Sequence, residues 1–219
     1  MLISSLPFAP AGLELVIKQM FNHVMQAEAG IYEGGLSLAQ ISHLRDVARR
    51  SDSTWIAEIG FNVGYSTIGF LESSAAAKVV SFELDLRPSV KLAKEFIDER
   101  YPGRHELVLG DSRETVPAFA DAERAGPQGF DLIFIDGGHM YDVVSQDLRN
   151  CKRIGAHRAT VVLDDLTPWY LWGVGPTRAW HEAVESGLVE PLEYVVDGRI
   201  VNHVEGPADR AWAVGRFRS

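Results

Sequence analysis

Cysteine is nearly absent from this sequence, which contains a single one, Cys151, among its 219 residues. One thiol can form neither an internal disulfide bond nor a metal site built from several thiolates. Cys151 falls on the apolar stripe of a predicted helix, so we expect it to be buried and unreactive.

Basic residues are in the minority, because 21 Lys and Arg stand against 30 Asp and Glu and the formal charge is −9. This charge repels a phosphate backbone, so we expect no nucleic-acid partner. Long apolar runs are also lacking: none approaches the roughly 18 residues of a membrane span, and residues 1–10 do not read as a secretory leader. We therefore expect a cytoplasmic protein without membrane contact.

The rest of the composition is that of an ordinary globular protein, with 46% hydrophobic and 23% charged residues. A chain of this length can build one large core, whereas two halves would each lack a sizeable one. We predict a single domain over residues 1–219, with an N-terminal helical lid at 1–50 and an α/β core at 51–219. The N-terminal helices could also supply the surface of a homodimer.

Two helices are predicted ahead of the core. Apolar residues recur at helical spacing over 13–24 and over 41–48, the second time after the capping pattern Ser37-x-x-Gln40. The glycine-rich connection Gly30–Gly35 between them is either a segment that can fold over a ligand or a plain loop.

From residue 54 onwards, short apolar runs alternate with amphipathic helices, a pattern typical of a parallel sheet. The last two runs are separated by a glycine- and proline-containing segment without a helical stripe, and they are predicted to form an antiparallel hairpin. A helix is predicted from about Pro176 to Ser186. The predicted strands are Thr54–Ile59, Lys78–Phe82, Glu106–Leu109, Phe130–Ile135, Thr160–Leu163, Leu192–Val196 and Ala211–Phe217.

The first predicted strand leads into the loop Glu58-Ile59-Gly60-Phe61-Asn62-Val63-Gly64-Tyr65-Ser66. Ligands of open parallel sheets bind beyond the carboxyl ends of the strands, and glycines let the backbone approach them closely. A dinucleotide site would need glycine where Asn62 stands, and Glu58 would repel a pyrophosphate. A ligand with a positive charge fits better; a simple tight turn is the alternative.

The next two strands are also followed by acids. Glu83 comes about twenty residues after the glycine loop, the interval at which a carboxylate can bind the two hydroxyls of a ribose. After the third strand, Asp111 and Ser112 could contact an adenine edge, and both are equally suited to cap the following helix.

Three acids follow the fourth and fifth strands: Asp136, and the pair Asp164-Asp165. Neighbouring strands lie about 4.8 Å apart, so these carboxylates can converge, and their mutual repulsion would favour a bound cation. Oxygen ligands select Mg²⁺ or another hard divalent cation such as Ca²⁺ rather than zinc. Alternatively, Asp136 contacts only an organic cofactor and Asp164 caps the following turn.

In their order, the motifs from about Gly34 to Leu166 resemble those of class I S-adenosylmethionine-dependent methyltransferases. The resemblance implies a Rossmann-like doubly wound sheet of seven strands in the order 3-2-1-4-5-7-6, with strand 7 antiparallel, and it implies S-adenosylmethionine as the cofactor. The implied cofactor-binding positions are Glu58, Gly60, Asn62, Gly64, Tyr65, Ser66, Glu83, Asp111, Ser112 and Asp136.

Asp136, Asp164 and Asp165 also resemble the metal ligands of the catechol O-methyltransferase-like group and of related antibiotic-tailoring methyltransferases. His139 stands where those families place a general base, although substrate orientation and a purely structural role are alternatives. An imidazole can accept a hydroxyl proton near neutral pH. The implied activity is Mg²⁺-dependent methyl transfer to a hydroxyl of a small molecule, such as a phenol, a sugar or a secondary metabolite.

Three aromatics, Trp169, Tyr170 and Trp172, follow the acidic pair and would give a substrate a flat apolar wall, although a core role is equally compatible with them. Three other functions remain open at this point. They are a metal-independent methyltransferase acting on a carboxyl or an amine, a non-catalytic protein that binds S-adenosylmethionine, and a nicotinamide dehydrogenase.

Overall fold

The computed structural model describes residues 2–5, 11–26 and 35–219, with side chains described over 12–25 and 35–219. The glycine-rich connection predicted at Gly30–Gly35 lies outside the described residues except for Gly35. Both predicted N-terminal helices are present.

One nine-stranded sheet crosses the described part of the chain, in the order β1-β8-β7-β9-β6-β5-β2-β3-β4. The five strands β2 to β6 pair in parallel, whereas β9 pairs antiparallel with both β6 and β7. The strands are β1 (Leu2–Ser5), β2 (Trp55–Ile59), β3 (Lys78–Glu83), β4 (His105–Leu109), β5 (Phe130–Ile135), β6 (Gly155–Leu163), β7 (Val189–Val196), β8 (Arg199–Val201) and β9 (Ala211–Phe217).

The seven predicted strands take the predicted order. If β2 is counted as the first of them, the sheet reads 3-2-1-4-5-7-6, and the last strand in sequence is antiparallel. The doubly wound α/β prediction is therefore confirmed. Two strands that we did not predict, β8 and β1, extend the edge beyond β7.

The turn that leads into β8 carries a sequence signal that was overlooked. Asp197 and Gly198 form a two-residue connection with φ of 46° and 72°, and Asp-Gly is a favoured pair for such left-handed hairpin turns. The Asp197 carboxylate also accepts hydrogen bonds from the backbone N–H groups of Asp209 and Arg210, at 3.0 and 2.9 Å. The turn is thereby tied to the residues that enter β9.

Seven described helices cover the two faces of the sheet. Helices α1 to α4 pack on one face, and α5 to α7 pack on the other. Among the described helices none is both long and apolar enough to cross a membrane. The helices are α1 (Ala11–Gln26), α2 (Leu38–Arg50), α3 (Tyr65–Leu71), α4 (Pro88–Arg100), α5 (Ser112–Asp121), α6 (Tyr141–Ile154) and α7 (Leu171–Glu185).

The two N-terminal helices share the core of the sheet. Met20 of α1 and Leu44 of α2 are completely buried, and they belong to the same apolar cluster as Ile56 of β2 and Phe134 of β5. On the opposite face, Cys151 of α6 is completely buried, as expected from the sequence.

Helix α7 begins at Leu171, five residues before the predicted start at Pro176. Proline usually marks the first turn of a helix, because it has no N–H to donate. Pro176 instead lies inside the helix, so the hydrogen bond that residue 176 would normally donate to the carbonyl of Trp172 is missing. The correction moves Trp172 from the predicted loop into the first turn of α7.

Candidate active site

The glycine loop after β2 lies against the end of β5. Gly60 has φ of 93°, and a side chain there would place its Cβ 2.0 Å from the carbonyl oxygen of Asp136. Its N–H donates to the carbonyl of Phe82 on β3 at 2.8 Å. Only glycine combines this conformation with this contact, so the ends of β2, β3 and β5 meet at one edge, as predicted.

Glu58 lies beneath that loop and is completely buried. Its carboxylate accepts hydrogen bonds from the hydroxyls of Ser66, Thr67 (2.6 Å) and Ser81 (2.5 Å). Burial raises the pKa of Glu58 to about 7, although these three hydroxyls oppose the shift. The structure thus pairs Glu58 with Ser66, and the cofactor contact predicted for both remains a prediction.

Glu83 holds the glycine loop from the end of β3. One of its oxygens accepts hydrogen bonds from the backbone N–H groups of Phe61 and Asn62, at 3.0 and 2.8 Å. Its other oxygen lies 3.6 Å from the guanidinium of Arg87. Asn62 has φ of 48°, so Glu83 stabilises a left-handed turn. Its predicted place beside the loop is observed, whereas binding of a ribose remains a prediction.

Asp111 caps α5, which is one of the two roles predicted for it. Its carboxylate accepts the backbone N–H of Arg113 at 2.9 Å, and the Arg113 side chain also pairs with it at 2.5 Å. These bonds hold the pKa of Asp111 below its usual range. Ser112 follows as the first residue of α5, beside the buried Asp147 of α6.

Tyr65 begins α3, directly after the left-handed Gly64. Its ring lies close to Gly35, where an added Cβ would be 3.2 Å from the ring edge. Partial burial raises the pKa of the Tyr65 phenol. The loop therefore reaches the segment that precedes α2, a contact that the sequence did not indicate.

Asp136, His139 and Asp165 converge beyond the ends of β5 and β6. Their candidate ligand atoms all lie within 4.8 Å of one another. The imidazole Nε2 of His139 is 2.9 Å from a carboxylate oxygen of Asp165. Burial, and then the negative charges of Asp164 and Asp165, raise the pKa of Asp136 well above its usual value. A cation at this position would relieve that repulsion.

Asp164, the other predicted ligand, is buried and already hydrogen-bonded at both oxygens. Its Oδ1 accepts the backbone N–H of Asp165 at 2.8 Å, and its Oδ2 accepts the side-chain amide of Gln40 at 2.7 Å. The bond to the Asp165 N–H is compatible with the alternative role in the following turn, and metal binding by Asp164 remains a prediction. The structure therefore groups Asp136 and Asp165 with His139, and it engages Asp164 with its neighbours.

Two residues that contact or face this cluster, Gln40 and Arg210, are not indicated as site residues by the sequence. The sequence predicts only the capping role of Gln40, whose N–H donates to the Ser37 hydroxyl at 3.2 Å. The positive charge of Arg210 lowers the pKa values of Asp136 and Asp164 against the effect of burial. Because Gln40 and Arg210 stand far from these acids in sequence, no local pattern could have identified them.

The three aromatic residues beyond Asp165 are divided between two roles. Trp169 is anchored, because its indole N–H donates to the carbonyl of Ala208 at 2.7 Å. Tyr170 and Trp172 stack on each other, with ring centroids 4.5 Å apart and planes 9° apart. Trp172 is 49% exposed, so this pair, rather than all three residues, presents a flat apolar surface.

The start of α7 packs directly on the loop that carries His139. A Cβ added to Gly175 would lie 2.1 Å from the carbonyl oxygen of His139. Trp172 precedes Gly175 by three residues and therefore shares its side of the helix. The helix that carries Trp172 in its first turn is thus seated on the loop that carries His139.

Comparisons with known proteins agree with this arrangement. No curated protein sequence matches the chain significantly. Solved structures match its fold: the O-methyltransferase TomG of Streptomyces achromogenes, involved in tomaymycin synthesis and solved with S-adenosylmethionine, is 19% identical with a TM-score of 0.71, over 93% of this chain and 90% of its own.

Two further structures show the same fold. An O-methyltransferase of Bacillus cereus, solved with S-adenosylhomocysteine, is 17% identical with a TM-score of 0.71, over 95% of this chain and 91% of its own. A methyltransferase of Podospora anserina, also bound to S-adenosylhomocysteine, is 17% identical with a TM-score of 0.68, over 96% of this chain and 89% of its own.

The sequence itself matches a family profile described as a methyltransferase domain, over residues 57–166. This range runs from the last residues of β2 to the residue after the acidic pair, and it contains the glycine loop, Glu83, Asp111 and the Asp136 to His139 segment. The enzyme class predicted from the motifs is therefore confirmed. The chain belongs to the methyltransferase domain family and has the fold of S-adenosylmethionine-dependent O-methyltransferases.

Proposed function

We propose that this protein uses S-adenosylmethionine to methylate a hydroxyl group of a small molecule, with the help of a divalent cation. The observation that carries the proposal is the convergence of Asp136, His139 and Asp165 within 4.8 Å at the edge where the glycine loop lies. Relatives by fold that carry the name O-methyltransferase and were solved with the methyl donor or its product support the cofactor.

The glycine loop and the ends of β3 and β4 are the proposed cofactor site. Gly60 brings the loop backbone to the edge of the sheet, and Glu83 fixes the loop through the N–H groups of Phe61 and Asn62. Asp111 and Ser112 begin α5 at the end of the adjacent β4. These positions would hold S-adenosylmethionine, which would supply the methyl group when bound.

The donor atoms at the end of β5 and β6 fit a divalent cation. Asp136 and Asp165 would hold it, with the nearby Asp164 as a further ligand. Carboxylate oxygens suit Mg²⁺ and also Mn²⁺. Such a cation supplies a Lewis acid that lowers the pKa of an acceptor hydroxyl.

His139 is the proposed proton acceptor. As the acceptor oxygen forms its bond to the methyl carbon and the bond from that carbon to sulfur breaks, the hydroxyl loses a proton, which His139 takes up. Asp165, 2.9 Å from the imidazole Nε2, orients the ring. The exposed position of His139 in the loop before α6 leaves it open to an entering acceptor.

Apolar side chains around this cluster favour an acceptor with a flat apolar part. Trp172 stacks on Tyr170, Leu171 between them is 93% exposed, and Met140, which follows His139 in sequence, is 69% exposed. Exposed apolar groups grouped beside polar donors are typical of sites for small organic ligands. A phenol or a related secondary metabolite fits this surface better than a small polar sugar.

Metal removal tests the proposal directly. Turnover of a panel of phenolic acceptors, measured as S-adenosylhomocysteine released, should fall to background in excess EDTA and return with Mg²⁺ or Mn²⁺. Full activity in EDTA would contradict the need for a cation and favour a metal-independent methyltransferase.

A pair of variants tests whether Asp136 is a ligand of the proposed cation. Asp136→Asn should abolish cation-dependent turnover, because it removes a charged ligand from the cluster. Asp121→Asn, at the exposed end of α5 where Asp121 pairs with Arg153, is the matched control and should retain activity. Equal activity of both variants would remove Asp136 from the proposed site.

A further inference from the structure

A hydrogen-bonded connection links helix α2 to the acidic cluster. Gln40 is completely buried, and its amide donates to Asp164 at 2.7 Å. The carbonyl oxygen of the same side chain accepts from the guanidinium of Arg210 at 3.4 Å, and Arg210 also donates to the carbonyl of Gly35 at 2.7 Å. Residues 35–40 and the residues before β9 are thereby joined at Asp164.

The connection continues from Asp164 into Asp165. The second oxygen of Asp164 accepts the backbone N–H of Asp165 at 2.8 Å. Asp165 has φ of 59°, a left-handed conformation that is uncommon for a residue other than glycine. The next residue, Leu166, donates its N–H to the carbonyl of Ala211, the neighbour of Arg210, at 2.8 Å. The backbone of Asp165 is thus held from both sides.

The Asp165 side chain needs this restraint, because it must stay near another anion. It is 28% exposed and lies 2.9 Å from His139, with Asp136 in the same cluster. Repulsion between carboxylates would drive a freely rotating side chain towards water. A fixed backbone conformation at Asp165 keeps its carboxylate in the cluster.

We propose that Gln40 and Arg210 are positioning residues, which fix the carboxylate of Asp164 so that it holds Asp165 against His139 and Asp136. Gln40 suits this task because an amide donates a hydrogen bond without adding a positive charge. A lysine at the same place would neutralise Asp164 and weaken the attraction of the cluster for a cation. The part of the proposal that concerns cation affinity rests on the proposed function.

Binding of Mn²⁺ to the whole chain, followed by the paramagnetic resonance signal of the free ion, tests the role of Gln40 without any turnover. Gln40→Met keeps the length and the burial of the side chain but removes both hydrogen bonds. Loss of a partner that orients a metal ligand typically weakens metal binding by about 10–100-fold, so we expect at least about tenfold weaker Mn²⁺ binding. Arg210→Met should weaken it less, because Arg210 supports Asp164 through Gln40 and because removal of its positive charge near Asp136 favours a cation.

Gln146→Met is the matched control, since Gln146 is exposed on α6, and it should bind Mn²⁺ as the unchanged chain does. If the unchanged chain binds Mn²⁺ and Gln40→Met binds it equally well, the positioning role is overturned and the proposed function stands. If the unchanged chain binds no Mn²⁺, the cation of the proposed function is overturned instead.

A crystal structure of Gln40→Met decides the positioning role in either case. We expect Asp165 to leave the left-handed conformation, or its carboxylate to move away from His139. An unmoved Asp165 would overturn the proposal whether or not a cation binds. Thermal unfolding of the same variant separates loss of stability from loss of position, because a purely structural role lowers the melting temperature and leaves Asp165 in place.

Discussion

The carboxyl groups at the strand ends differ mainly in which neighbouring groups offset their negative charge. Glu58 is buried among hydroxyls that donate to it, whereas Asp111 is paired with Arg113 near the surface. Asp136 has other acids as its charged neighbours together with Arg210. The same residue type therefore stabilises a loop, caps a helix or forms a candidate cation site, according to its environment.

Glu58 should make stability depend on pH. Its pKa rises from 4.5 to about 7 on folding, so between these values the native chain binds a proton that the unfolded chain has lost. Stability from this group is present below pH 4.5 and is lost as the pH rises through 7, by about 3 kcal/mol. Glu58→Gln should remove this dependence. The free energy of unfolding of this variant, measured in urea, should therefore rise relative to that of the unchanged chain between pH 5 and 8.

Glu185→Gln is the control for that experiment, because Glu185 is exposed near the end of α7. Its unfolding free energy should follow that of the unchanged chain at every pH, with EDTA present throughout. A Glu58→Gln variant whose curve also runs parallel to the unchanged chain would show that Glu58 titrates at the same pH in both states.

His139 should affect the rate more than binding. His139→Ala removes the proposed proton acceptor, for which a loss of about 10²–10⁴-fold in kcat is expected. The dissociation constant for S-adenosylmethionine, measured by calorimetry, should change little, because the glycine loop and Glu83 are untouched. His203→Ala, at an exposed histidine beside Glu205, should leave both quantities unchanged. A similar kcat for the two variants would contradict the proposal that His139 is the proton acceptor.

Whole elements were predicted well where their patterns are local. The alternation of apolar strands with amphipathic helices was sufficient to predict a parallel sheet, because β2 to β6 are buried, whereas the strand order was implied by the resemblance to class I methyltransferases. β8 was missed because it has only three residues and gains its stability from pairing with β7 and β1. The early start of α7 was missed because packing on the His139 loop outweighs the local preference of Pro176.

The candidate site was predicted only in part, for a related physical reason. Acids and glycines at strand ends can be recognised from the sequence as site candidates, because the topology brings those ends together. The environment of Asp164 includes a hydrogen bond from Gln40, which lies 124 residues away in sequence. Residues that are distant in sequence and contact each other only in the folded chain cannot be recognised as partners from a single sequence.

The close approach of α7 to the His139 loop makes Gly175 a sensitive position. In Gly175→Ala the new methyl group would lie 2.1 Å from the carbonyl oxygen of His139, so the start of α7 must move outwards. We expect a loss of about 1–3 kcal/mol in urea unfolding and a raised KM for an aromatic acceptor, since Trp172 moves with the helix.

Gly12→Ala is the control for Gly175, because a Cβ at Gly12 meets no atom within 4 Å. Alanine in place of an exposed helical glycine should stabilise the protein by up to about 1 kcal/mol and leave KM unchanged. If Gly175→Ala were equally harmless, α7 would not be seated on the His139 loop.

At the scale of the whole molecule, α2 connects the acidic cluster to the core. Besides the contact of Gln40 with Asp164, His43 of α2 accepts a hydrogen bond from the indole N–H of Trp212 on β9 at 3.0 Å and bonds to Glu193 on β7. His43 and Trp212 are both buried, so breaking the bond between them would leave polar groups unpaired. A helix attached in this way should not open independently as a lid.

Amide hydrogen exchange distinguishes a lid from a part of the core. The amides of α2 should exchange only through global unfolding, with the same opening free energy as those of the central strands β2 and β5, because all three contribute to one apolar cluster. The edge strand β8 provides an internal reference for local opening and should exchange faster. An opening free energy for α2 several kcal/mol below that of β2 would contradict this expectation and would support the helical lid predicted at residues 1–50. Exchange measured again with S-adenosylmethionine should raise the protection of α2 and β2 together, since a ligand that binds only the native state adds the same free energy to every amide that exchanges by global unfolding.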